Sequence, residues 1–362
     1  MEVKEYKCPN CGGAVKFDSA TQNMKCPYCD AEFGIAALEE YQKEISVSEK
    51  DQFGWEGNSD IKEWDSEELN ELNQGSCPSC GAELLGDKNT AAMVCPNCGN
   101  TQIVLRRLTG LLKPEIIIPF KLDKKAAVEA LKNFYKGKKL LPDFFNKENR
   151  INSIQGLYLP FWFFDATANG HIRFKASKTK TRSDTKYNYS ETNFYSVVRD
   201  GNIKFEKVPV DGSEKMDNAY MDAIEPFNYA DIKDFQTAFL SGYIAEKYDV
   251  DAETSKERAA QRIKKSLEDE FRASVTGYSS VSVESSTINS ENVKAVYGLL
   301  PVWILNTIYN KENYIFLMNG QTGRFIGKLP VDKGKLRKYN FLITGIIGAV
   351  FTIIIQLLRI LG

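Results

Sequence analysis

The sequence predicts an α+β protein, and three observations predict it. All eight cysteines lie before residue 99, in four C-P-x-C brackets. From residue 105 to 336, helix-period segments alternate with strand-like ones. Near the C-terminus, Phe341–Leu358 reads FLITGIIGAVFTIIIQLL without a charge. The 362 residues give room for more than one domain, and the formal net charge is only −1.

The brackets are CPNC, CPYC, CPSC and CPNC. Cys8 and Cys11 go with Cys26 and Cys29, and Cys77 and Cys80 with Cys95 and Cys98. Fourteen residues separate the two brackets of each set. A C-x-x-C turn places two thiolates on one side of a tight loop. Two such turns, joined by a hairpin, set four sulfurs at the corners of the tetrahedron that Zn²⁺ accepts. The spacer is just short of the usual zinc-ribbon length. Glycine follows three of the brackets (Gly12, Gly81, Gly99) and Asp30 the fourth. A disulfide framework is the alternative, but no secretory signal opens the chain. Redox dithiols occur once, beside a βαβ pattern, not as matched quartets. Iron in a four-thiolate site stays open, because ligand type alone does not exclude it. Four protein ligands leave no open coordination position, which points to structure and not catalysis. The expectation is one Zn²⁺ per ribbon, ribbon 1 over residues 1–34 and ribbon 2 over 76–104.

Residues 35–75 between them are strongly acidic and carry Trp55 and Trp64. They read as a solvated linker whose tryptophans dock on the body or on a partner. The body, 105–336, offers helices at 123–136, 213–224, 231–247 and 252–273. Phe194–Val198 and Ile203–Val208 flank Asp200-Gly201, a two-residue hairpin signal. Tyr314–Met318 and Arg324–Leu329 flank a second turn, NGQTG. GLYLPFW (156–162) resembles GLLPVW (298–303), and VPVD (208–211) resembles LPVD (329–332). An internally repeated helix-plus-β-meander unit is therefore expected, about 114–211 and 250–332.

The final apolar run reaches about 27 Å as a helix, close to the ~30 Å hydrocarbon core of a bilayer. A transmembrane helix is expected over 339–360. Lys333, Lys335, Arg337 and Lys338 precede it and only Arg359 lies beyond the run. The positive-inside rule then puts the body in the cytoplasm, as a tail-anchored protein of the cytoplasmic membrane. Thr344, Gly345, Gly348, Ala349 and Thr352 put small residues on one helix face, a pattern of helix–helix association in lipid.

No catalytic constellation is visible. The single histidine, His171, has no metal-ligand partners left, and no P-loop, G-x-S-x-G, H-E-x-x-H or dinucleotide fingerprint occurs. Asp165, Asp211 and Asp332 fall near expected strand ends. Neither ribbon is cationic, so the nucleic-acid-binding alternative lacks the basic surplus that phosphates require.

The C-P-x-C quartets, IIIPFKLDKKAAVEAL, GLYLPFWFFDA, VPVDGS, MDAIEPFNY, AFLSGYIAEKYDVD and NGQTGRFIGKLP resemble a bacterial family of tail-anchored proteins with N-terminal transcription-factor-IIB-type zinc ribbons. Members often bear a PriA-like helicase label, which this chain cannot merit without a nucleotide-binding loop. The resemblance implies a membrane anchor in a phage-shock-type membrane-stress system, with a PspA-like coat protein and an SPFH-like protein as partners. The resulting expectation is a non-enzymatic, cytoplasm-facing adaptor that recruits proteins to the bilayer.

Overall fold

The protein is described from a computed structural model, which covers residues 6–361 apart from 11–12, 20, 47–50, 59–63, 66–67, 70–71, 88–92 and 107–111. It is mixed α+β. The first cysteine set is carried by strands β1 (Lys16–Asp18), β2 (Asn23–Lys25) and β3 (Glu32–Phe33), a three-stranded antiparallel sheet. Helix α1 (Ile35–Ser46) and strand β4 (Gln52–Asn58) follow. Strands β5 (Leu72–Ser76), β6 (Glu83–Asp87) and β7 (Val104–Arg106) surround the second set. Then come β8 (Ile116–Ile117), α2 (Lys124–Tyr135), the short α3 (Glu148–Ile151) and two long strands, β9 (Gln155–Ser183) and β10 (Asn188–Asp211). Next are α4 (Asn218–Ile224), β11 (Lys233–Asp234), β12 (Ile244–Glu246), α5 (Ala252–Ala273) and the long β13 (Ser280–Tyr309). The chain closes with β14 (Glu312–Asn319), β15 (Phe325–Gly327) and α6 (Lys333–Leu361).

These elements form two compact units, and each is discontinuous in sequence. One is Met1–Glu56, Asp165–Val208 and Glu257–Lys294; the other is Gly57–Phe164, Pro209–Lys256 and Ala295–Gly362. The expected single body over 105–336 is thus divided. The expected linker, 35–75, is not one. It contributes α1, it contributes β4, which pairs with β13, and its end is β5. Trp64 lies edge-on to Phe235, ring centroids 5.7 Å apart.

In the first unit the cysteine-bearing sheet packs on α1. Cys8, Val15, Cys26 and Leu38 are buried together, with Phe33 and Tyr41 against them. The reversal between β9 and β10 sits at 184–187, not at Asp200-Gly201. Asp184 accepts the N–H groups of Lys186 and Tyr187, and its own N–H reaches Tyr187 O at 2.9 Å. That local side-chain-to-backbone bonding sets the turn. β10 instead runs straight through Gly201, where a Cβ would come to 3.3 Å from the Phe271 ring. The glycine serves a close approach, not a turn.

In the second unit, β8, β13, β9, β12, β6, β5 and β7 lie side by side in one sheet. Residues 155–164 and 298–305 are its apolar centre. Leu157, Leu159, Phe161 and Phe163 join Leu300, Val302 and Ile304 against Met221 and Ile224 of α4. Trp303 and Leu305 face Ala127, Leu131 and Tyr135 of α2, with Phe316 and Met318 of β14. Burial on both faces explains why these strands read as continuous apolar runs and not as alternation. The helix expected at 231–247 is replaced by β11, β12 and two 3₁₀ turns, Tyr229–Asp231 and Thr237–Leu240. Lys233 pairs with Ile117 and Ala245 with Leu85, so sheet contacts override local propensity. The helix expected at 213–224 starts only at Asn218, where Asp217 caps the Ala219 N–H.

One set of bonds occurs twice in this unit. Trp162 Nε1 donates to Val250 O at 2.8 Å, and Trp303 Nε1 to Leu122 O at 3.0 Å. Each accepting carbonyl lies just before an aspartate that caps a helix start: Asp251 receives the Thr254 N–H and Asp123 the Ala126 N–H. Gly212 N donates to Pro160 O at 2.9 Å, and Gly320 N to Pro301 O at 2.8 Å. Gly212 O accepts from Asp249 and Val250, and Gly320 O from Lys121 and Leu122. Parallel pairing is also matched, Leu157 with Ile244 and Gly298 with Ile116.

Helix α6 is long and apolar enough to cross a membrane, and none of its most apolar stretch is buried. Thr352 Oγ1 donates to Gly348 O or Ala349 O, so its hydroxyl is satisfied within its own helix.

Two strands approach closely at Gly298. An added Cβ would meet Ile116 Cγ1 at 2.6 Å, Phe163 at 2.7 Å and the Ile116 carbonyl at 3.1 Å. G298A should therefore destabilise the fold by about 1–3 kcal/mol through overpacking, read as a lower urea midpoint. An unchanged midpoint would contradict this packing.

Candidate metal centres

The bracket residues fold as they do because each Cys-Pro-x-Cys turn closes on itself. Cys77 N donates to Ala82 O and Gly81 N to Cys77 O, both at 2.9 Å. Cys95 and Gly99 repeat the pair with Asn100 O and Cys95 O at 2.8 Å, and Cys26 and Asp30 with Ala31 O and Cys26 O at 2.9 Å. Cys8 N reaches Gly13 O at 2.7 Å. The residue after the second cysteine must take a left-handed backbone: φ is +74° at both Gly81 and Gly99 and +55° at Asp30. Glycine does this freely and aspartate tolerates it, which accounts for the departure at Asp30.

These turns bring Cys77, Cys80, Cys95 and Cys98 together, and likewise Cys8, Cys26 and Cys29. In each group the sulfurs all lie within 4.8 Å of one another. Cys11 lies outside the described residues. The short pairs are Cys77–Cys98 at 3.5 Å, Cys80–Cys95 at 3.6 Å and Cys8–Cys29 at 3.7 Å. A tetrahedron with metal–sulfur bonds of about 2.3 Å has edges of about 3.8 Å, so the groups have the size of a metal cage. The distances are far beyond the ~2.05 Å of a disulfide, and none of the described cysteines is disulfide-bonded. Cys8, Cys26, Cys77 and Cys95 are buried.

Electrostatics in the second group favours a cation. Burial opposes ionisation of Cys77, but the backbone N–H groups of Cys80 and Ser79 outweigh it and bring that thiol down to about 7. Burial pushes the Cys80 and Cys95 thiols up instead. Four crowded thiols therefore resist losing all their protons unless a dication enters, which deprotonates its ligands.

The second group is tied into the sheet by a contact that the sequence does not announce. Asn97, between Cys95 and Cys98, donates to Glu246 Oε1 at 2.8 Å, and Ser213 donates to the same oxygen at 3.3 Å. Asn97 O accepts from Asn306 and Asn313. Glu246 is 1% exposed on β12, which pairs with β6 at Leu84. Burial pushes its carboxyl up to about 7, against the bond from Asn97, with Asp249 adding to the rise and Ser213 and Lys215 opposing it. Nothing but an isolated Glu in an apolar stretch, AFLSGYIAEKY, marks it in the sequence.

The remaining sequence candidates do not converge. His171 is exposed on β9 and pairs with Asp200. Asp165 accepts the Lys207 N–H, and Asp332 those of Gly334 and Lys335.

Fold and site together define a mixed α+β protein with two cysteine clusters fit to hold metal ions and a C-terminal apolar helix. No family model matches the chain, and no solved structure matches it. Over 349 residues it is 35% identical to the uncharacterized protein YdjG of Bacillus subtilis (strain 168), covering 96% of each chain. The chain belongs to the family of that protein.

Two outcomes follow. The purified full chain should carry two metal ions, and C80S one, by elemental analysis; a metal-free wild type would overturn the cage reading. Protonated Glu246 suits the fold, so stability should fall as pH rises from about 4.5 to about 7, by at most ~3 kcal/mol. E246Q keeps the acceptor for Asn97 and should flatten that fall. Denaturant midpoints across this window that drop equally in both proteins would show that Glu246 is not the cause.

Proposed function

We propose that the protein is a membrane-anchored adaptor, with its body in the cytoplasm and one Zn²⁺ in each cysteine cluster. The observation that carries this reading is α6, an apolar helix none of whose hydrophobic stretch is buried. Exposed apolar area on this scale needs lipid to cover it. Lys333, Lys335, Arg337 and Lys338 on its N-terminal flank support a cytoplasmic body. Four-thiol donor sets of tetrahedral size support zinc in a structural role.

The two clusters have different parts in this proposal. The second is built into a sheet through the β6–β12 pairing and the Asn97–Glu246 bond, so it acts as a staple for its unit. The first is carried by a separate small sheet with exposed Phe17 and Tyr28, and is the better recruiting surface. Membrane-stress proteins of the coat and SPFH-like kinds are the partners this reading adopts from the family resemblance. Self-association of α6 would use the Gly345, Gly348 and Ala349 face.

The doubled bonds around Trp162 and Trp303 support an internal repeat, β8–α2–β9–β10 against β12–α5–β13–β14. In this register Gly212 corresponds to Gly320 and Asp211 to Asn319, so VPVDGS matches FLMNGQ and not the LPVD segment.

Co-purification from mild detergent tests the adaptor. Cys11→Ser should lose the partners that the wild type retains, while Cys80→Ser should lose stability first. Identical partners with Cys11→Ser would remove ribbon 1 from recruitment, and no partner in any sample would sink the adaptor reading.

A further inference from the structure

Helix α2 ends in an open recess of about 480 Å³ lined by Lys132, Asn133, Lys136, Lys138, Lys139 and Asn146. Lys132 and Lys136 are one helical turn apart. Gly137, with φ +77°, then turns the chain so that Lys138 and Lys139 line the same hollow. All four lysines are exposed, and none is paired with a carboxylate among the described residues. The partial negative charge of a helix C-terminus accounts for one or two such cations, not four. Asp143 in the following segment is engaged by Lys335.

The recess is fixed at the base of the apolar helix. Asp332 N donates to Leu140 O at 2.8 Å, and Lys335 Nζ to Leu141 O at 2.7 Å. Lys139 Nζ stands 5.9 Å from the centre of the Tyr339 ring. The uncharged run begins at Phe341, about 3 Å further along the axis. Tyrosine at that level is the usual interfacial residue, and lysines there keep their amines among headgroups. Lys333, Arg337 and Lys338 add exposed cations on α6 itself.

We propose that this recess is an anionic-phospholipid site. Resting on the membrane-anchor reading, it assigns Lys132, Lys136, Lys138 and Lys139 to the phosphate headgroups of the leaflet that α6 enters. A segment some 200 residues upstream of the anchor thereby becomes part of the membrane surface. A nucleic acid is the less suitable occupant, because the one ring in the lining, Tyr135, is buried and offers no stacking platform.

The test uses the full chain in nanodiscs of phosphatidylcholine alone or with phosphatidylglycerol. Acylation rates of the four lysines are read by mass spectrometry. The lysines should react about fivefold more slowly in the phosphatidylglycerol discs, and ~1 M salt should erase the difference. K136Q/K138Q changes two exposed side chains and should return Lys132 and Lys139 to the phosphatidylcholine rate. Equal rates in both discs overturn the proposal while leaving the anchor intact. Slowing in both discs alike also overturns it, as simple shielding by the bilayer. Slowing by a single-stranded oligonucleotide in phosphatidylcholine discs, without an effect of phosphatidylglycerol, overturns it in favour of nucleic acid. A chain that enters neither disc removes the anchor and the lipid site together.

Discussion

Burial of two strand segments on both faces is the constraint on which the second unit depends. Residues 157–163 and 298–305 both contribute alternate side chains to the core closed by α4, and 298–305 also sends Trp303 and Leu305 into the core closed by α2. A strand in that position has no solvent face on which to put a polar residue. The tryptophans meet the same limit, because a buried indole N–H needs an acceptor. Each finds it in the carbonyl that precedes a helix cap, so strand placement and helix entry are fixed by one bond. Proline at positions 160 and 301 gives up its N–H but keeps its carbonyl, which accepts from Gly212 and Gly320.

The second cysteine cluster draws on that order. Its strands extend the sheet through β6 and β12, and the side chain between its last two cysteines reaches a carboxylate buried on β12. A buried carboxylate is costly unless it is bonded or neutral, and here it is both bonded and pushed toward the neutral form. The second cysteine cluster and the sheet are thus physically adjacent, whereas among the described residues the first cluster packs against Leu38 and Tyr41 of α1. Two sites of one sequence template therefore sit in unequal surroundings.

What the sequence disclosed follows from the range of each signal. The cysteine brackets are local and strongly constrained, and three of the four pairs read from spacing come together wholly within the described residues. Helix α5 was legible over 252–273 because its apolar period is long and unbroken. The failures involve distant partners. The stretch 231–247 has enough helix formers to look helical, but Ile117 and Leu85 claim it as strand. The acidic stretch 35–75 looked solvated because its charges dominate composition, yet β4 and β5 need only a few backbone positions to join a sheet. Asp200-Gly201 has the composition of a turn, while the real reversal rests on the Asp184 carboxylate. Glu246 carried no local signal at all, since its meaning depends on Asn97, 149 residues away.

Net charge near zero concealed one further feature. A chain of formal charge −1 looks unsuited to anionic partners as a whole, but interaction with a surface is decided within about one Debye length, ~8 Å at physiological salt. Lys132, Lys136, Lys138 and Lys139 fall within eight residues, over one helical turn and a glycine bend, a short cluster that the net charge of the whole chain hides. The fold gathers them, and the contacts of Asp332 and Lys335 with 140–141 set where the gathering occurs. Charge distribution in three dimensions, not composition, determines which face of such a protein a membrane would attract.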